Sequence, residues 1–140
     1  ARLKLKASCL MSKARPPTFA PSGGPPAAGW LNRERTSFLE RSKNTFDVVL
    51  MLAVAHHMII TDGLPIAEVF EGASLLTKDI LVVEFVSPHD PMFQALAKGR
   101  YFPDYNQAHF EQCLSKRFSI LKKREVSNSG RTLYSLRKRA

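Results

Sequence analysis

Cysteine, tryptophan and long apolar runs are all scarce in this chain. The two cysteines, Cys9 and Cys113, stand far apart, with no CxxC pair and no Cys/His ligand spacing. A disulfide scaffold and a cysteine-based metal site are thereby disfavoured, and a reduced, cytoplasmic protein is the expectation. The longest apolar run, Val48–Ile60, contains His56 and His57. It falls well short of the roughly 20 residues that a membrane-spanning helix needs, so no membrane partner is expected. Acidic residues are missing from the first 33 positions. A phosphate-binding loop is missing as well. Gly23–Gly24 is bracketed by Pro21 and Pro25, without the preceding strand and following helix that such a loop requires. No internal repeat is visible.

What is present is one domain's worth of sequence with strongly segregated charge. The 140 residues are 44% hydrophobic, enough for a single core. The net charge of +9 is uneven. Residues 1–45 hold nine Lys/Arg against two Glu, a net +7. Residues 46–115 hold three Lys/Arg against nine Asp/Glu, a net −6, and residues 116–140 hold nine against one, a net +8. The apolar middle is acidic and the ends are basic. Such ends attract anions, but they carry neither interleaved aromatics nor a recognition motif, so nucleic acid is a possible partner and not the favoured one.

Residues 1–29 read as a basic leader, disordered by expectation. Leu3, Leu5 and Ala7 alternate with Lys4 and Lys6, and the prolines and glycines of Ala14–Gly29 exclude regular structure. An organelle transit peptide stays open for this acid-free stretch. Residues 31–43 are helix-compatible. Phe46–Leu52 is apolar without alternation, the pattern of a central parallel strand covered on both faces, and it runs on into His56 and His57. Pro65–Leu76 places Ile66, Val69, Phe70, Ala73 and Leu76 on one helical face. A second buried strand, Ile80–Phe85, follows. A parallel α/β sheet builds its sites at the carboxyl ends of such strands. Met92–Lys98 reads as a short helix, Asn106 as the cap of another with Phe110, Cys113 and Leu114 inside. Period-two alternation about Ser127–Gly130 predicts a terminal β-hairpin.

A parallel sheet that ends in an antiparallel hairpin resembles class I S-adenosylmethionine-dependent methyltransferases. The words resemble their nodulation-type branch: PAAGWLNRER (Pro26–Arg35), SFLER (Ser37–Arg41), FDVVLMLAVAHH (Phe46–His57), VEFVSPHDPMF (Val83–Phe93), FPDYNQAHFE (Phe102–Glu111) and SGRTLYSLRKR (Ser129–Arg139). The likeness runs in order from about residue 26 to the end. It implies a partial Rossmann-like α/β sheet, two parallel strands plus the hairpin, with flanking helices. Residues 30–140 would be the carboxyl-terminal half of the domain. Phe46–Leu52 would be the fourth strand and Ile80–Phe85 the fifth. The residues at their ends, Leu52, Ala53, His56, His57, Glu84 and Phe85, would face the cofactor and the methyl acceptor. The cofactor implied is S-adenosylmethionine. The glycine-rich turn and ribose-binding acid that hold it in such enzymes have no counterpart here, so a truncated coding sequence, inactive alone, is the expectation.

Each candidate has a plainer reading. His56 and His57 would line an acceptor pocket and exchange a proton near neutral pH, or one packs and the other is solvated. Glu84, inside an apolar strand, needs a partner: an arginine, a polar cleft or backbone N–H groups. Asp104 and Tyr105 read as structural, and Arg131 as a tie between the hairpin and the preceding helix. Trp30 reads as packing or a substrate lid. No metal set is expected, since His89 and His109 lack paired ligands. Two functions of different class remain: methyl transfer to an unidentified nucleophile, and a non-catalytic basic module that binds an anionic partner or a complementary half-domain.

Overall fold

A computed structural model describes residues 36–126 and 129–140. The expected leader, the boundary at residues 29–30, Cys9 and Trp30 lie outside the described residues. Ser37 opens α1 (Phe38–Ser42) with a capping box: its hydroxyl accepts from the Glu40 N–H, and the Glu40 carboxylate accepts from the Ser37 N–H. Strand β1 (Phe46–Met51) follows. Next come α2 (Ala55–Ile60), α3 (Ile66–Leu76) and β2 (Thr77–Val86). Then α4 (Pro91–Ala97) starts on the Asp90 cap and α5 (Gln107–Ser115) on the Asn106 cap. The hairpin β3 (Phe118–Val126) and β4 (Arg131–Lys138) completes the chain.

The four strands lie in the order β1-β2-β4-β3. β1 and β2 are parallel, with Val49 beside Leu81 and Met51 beside Val83. β4 runs antiparallel to both β2 and β3. This is the expected α/β class: a partial Rossmann-like sheet of two parallel strands and an antiparallel hairpin, flanked by helices. Val49, Met51, Leu81, Val83, Phe85, Tyr134 and Leu136 are buried. They share one core with Phe70 and Phe110 of the helices, whose rings meet edge to face 4.9 Å apart.

Three expectations need correction. β1 was read as covered on both faces. Val48 is 38% exposed and Leu50 only half-buried, so among the described residues one face of β1 is open and β1 is an edge strand. Apolarity on both faces records a demand for cover, not its presence. The histidine pair was read as the end of the strand, whereas it sits in α2. That helix is six residues long and no side chain caps it. Burial of Ala55, Met58, Ile59 and Ile60 holds it in place of local signals. β2 begins at Thr77, three residues before the expected start. The Thr77 hydroxyl donates to the Ala73 carbonyl, so the helix passes into the strand without a loop.

Candidate functional site

The carboxyl ends of β1 and β2 lie side by side in parallel, and the turn between β3 and β4 closes on them. After Met51 the chain leaves the sheet through Leu52, 46% exposed, and Ala53, whose φ of +52° lies in the left-handed region. A non-glycine residue there stores a modest strain of about 1 kcal/mol. The turn delivers His56 into the interior, 3% exposed, and leaves His57 exposed. Their ring centroids are 4.4 Å apart.

His56 Nδ1 is buried without a hydrogen-bond partner. The His56 pKa is lowered to about 4, first by burial, then by the charges of His57 and Arg131, with Asp90 acting in the opposite sense. His56 is therefore neutral at pH 7. One of its nitrogens is ready to donate or accept a proton but makes no bond to the described protein.

Glu84 meets an arginine. Arg131 Nη1 lies 3.5 Å from Glu84 Oε1, and Arg131 Nε donates to Asp90 Oδ2 at 2.9 Å. Asp90 Oδ1 accepts from the Met92 N–H at 2.8 Å and so caps α4. The Asp90 carboxyl is held below the usual range, chiefly by the Arg131 hydrogen bond. Arg131 is held more firmly charged, chiefly by Asp90. Arg131 thus ties the hairpin to both the end of β2 and the start of α4. The neighbouring Ser87 N–H donates to the Gly130 carbonyl at 3.2 Å.

Phe85 turns the other way. It is 3% exposed, with its ring stacked on Tyr105 at 5.4 Å and edge-on to Phe110 at 5.0 Å. It supports the strand end from the core side and does not join the polar cluster. Tyr105 adds a second support by donating to the Val86 carbonyl at 2.9 Å. Burial pushes its hydroxyl well above the usual tyrosine range. Asp104 accepts from His109 Nδ1 through its carbonyl at 2.8 Å, a structural use, and the cap of α5 is Asn106 alone.

Of the six residues nominated from sequence, the fold gathers Leu52, Ala53, His56, His57 and Glu84 on one end of the sheet. Asp90 was missed as part of this cluster. Its signal was present, because an Asp before Pro at the start of an apolar segment is a helix cap. Its pairing with Arg131, 41 positions on, is a tertiary fact that no local pattern carries.

No group of three or more His, Cys, Asp or Glu positioned to hold a metal ion occurs among the described residues. No described helix is long and apolar enough to cross a membrane. No family model matches the chain. No solved structure matches it either. The chain is homologous to the nodulation protein NoeA of Rhizobium meliloti (strain 1021), 35% identical over 112 residues and 79% of its own length, and it spans only 23% of the length of that relative.

Proposed function

We propose that the chain is the carboxyl-terminal half of a class I S-adenosylmethionine-dependent methyltransferase domain, with the strand ends at His56, His57 and Glu84 turned to the methyl acceptor. One observation carries this reading: a parallel strand pair continues into an antiparallel hairpin, with titratable side chains gathered at the carboxyl ends. Open α/β sheets place their ligands at that end.

The described residues do not fit the cofactor itself. Gly63, Gly72, Gly99 and Gly130 are the glycines among them, and none forms a glycine-rich turn from a strand into a helix. Glu84, the acid at a strand end, is engaged by Arg131. The described chain therefore contributes to the acceptor side. Its fixed Arg131–Glu84–Asp90 lattice holds the strand ends rigid. His56 stays neutral behind the strand ends, and the exposed His57 is the imidazole that an acceptor hydroxyl or amine can reach. Positioning is the main service such a surface gives to a displacement reaction.

The similarity to NoeA supplies the test, because that protein extends far beyond the shared stretch. Its shared stretch is replaced by the matching stretch of this chain, and binding of S-adenosylhomocysteine to both proteins is measured. The expected result is micromolar binding by NoeA and by the chimera. Failure of NoeA to bind removes the methyltransferase reading. Binding by NoeA with none by the chimera removes the claim that this half is equivalent.

A further inference from the structure

The amino end of β1 and β2, opposite the end that holds His56 and Glu84, carries a basic cleft of about 280 Å³. It opens between Asn44, which precedes β1, the second half of α3, and the chain just past α5 and at the end of β4. Lys116, Arg117, Lys138 and Arg139 line it, against one acidic side chain, Glu71. Four cations against one acid leave a positive balance, which persists with a main-chain carboxylate counted at Ala140.

The backbone makes these cations converge. α5 stops at Ser115, and Lys116 and Arg117 turn the chain into β3. β4 returns antiparallel, so that Phe118 lies beside Lys138. The Arg139 N–H then donates to the Arg117 carbonyl at 2.9 Å and holds the two basic pairs together. Like charges gathered at one cleft repel, and an anion between them relieves the repulsion.

The four cations differ in what engages them. Arg117 is neutralised, since its Nε and Nη2 donate to the two Glu71 oxygens at 2.6 and 3.0 Å. Lys138 is fixed without being neutralised. Its three acceptors, Asn44 Oδ1 and the Ser74 and Thr77 carbonyls, are all uncharged. Lys116 and Arg139 are exposed and have no ion pair among the described residues. Arg139 Nε donates to Ser119 Oγ at 3.2 Å. That bond orients the guanidinium and leaves its terminal nitrogens without a partner among the described residues.

We infer that this cleft binds the phosphate or diphosphate group of a small anion. Lys116 and Arg139 make the contacts, and Lys138 supplies a fixed charge behind them. A guanidinium offers phosphate two parallel N–H donors, and an ammonium adds a point charge. A nucleic-acid strand fits less well, because no aromatic ring lines the cleft for a base to stack on. This inference stands on the amino end of the sheet and does not depend on the methyltransferase reading.

Isothermal titration of the full 140-residue chain with inorganic pyrophosphate tests it, in about 0.15 M salt to screen diffuse attraction. The chain should bind with a Kd below about 1 mM. Lys116→Gln with Arg139→Gln, both exposed, should weaken binding about tenfold or more. Lys122→Gln with Arg124→Gln removes the same charge from residues that do not line the cleft, and should leave binding unchanged. ADP binding with the same dependence on Lys116 and Arg139 would assign the group to a nucleotide, and its absence would assign it to a free anion. Four results overturn the inference. They are no pyrophosphate binding, binding undiminished by the Lys116 and Arg139 changes, equal loss in both double variants, or tighter binding of a thymidine oligonucleotide through Lys116 and Arg139.

Discussion

Arg131 Nε and Asp90 Oδ2 lie 2.9 Å apart and join the hairpin to the first turn of α4, 41 positions away in sequence. Asp90 is 6% exposed, so its charge depends on this partner. Arg131→Met should cost about 2 kcal/mol of stability, more than a surface ion pair, because it strands a buried carboxylate. Urea unfolding of the variant and the parent checks this. A loss below about 0.5 kcal/mol would mean that the pair is solvated.

The same pair sets an acid limit. The Asp90 carboxyl is depressed in the folded protein, chiefly by Arg131. Its contribution is therefore complete above the unfolded carboxylate value of about 3.9 and is lost as pH falls through the lower folded value. Asp90→Asn should flatten stability against pH in that acid range and lower stability at pH 7.

His56 acts in a higher window. Its folded pKa is about 4, against 6.5 for an ordinary histidine. Below about pH 6.5 the unfolded chain takes up a proton that the folded chain refuses, so stability declines from there down to about pH 4. The total is on the order of 3 kcal/mol. His56→Gln should remove this slope. Proton NMR should show the His56 ring titrating near pH 4; titration near 6.5 would place the ring in solvent.

At the opposite end of the sheet, Lys138 Nζ donates to Asn44 Oδ1 at 2.6 Å, the Ser74 carbonyl at 2.7 Å and the Thr77 carbonyl at 2.9 Å. Three acceptors around one ammonium saturate its donors. Lys138→Met should cost about 1–3 kcal/mol by leaving half-buried carbonyls unpaired. Arginine should not restore the loss, since its planar fork cannot converge on the same three oxygens. Thermal melts of both variants decide this.

Much of this arrangement could be read from particular residues. Pro65 and the spacing of Ile66, Val69, Phe70, Ala73 and Leu76 marked α3, and period two marked β4. Gly130, with φ of +64°, marked the turn between the hairpin strands. Glu84 within an apolar strand demanded a partner, and Arg131 supplied it. Two features were not legible. Helix α2 lacks both a cap and the length to show a period, so only burial declares it. The open face of β1 looked like a central strand because its apolar side chains report the need for cover, while the covering element is not encoded in the strand.

The most direct test of the account is calorimetric titration of the 140-residue chain with S-adenosylmethionine and S-adenosylhomocysteine. The described residues lack a glycine-rich turn, and their strand-end acid is engaged by arginine, so the account predicts no binding by the chain on its own. Micromolar binding would contradict it, and would mean that a cofactor site is built here without the missing elements.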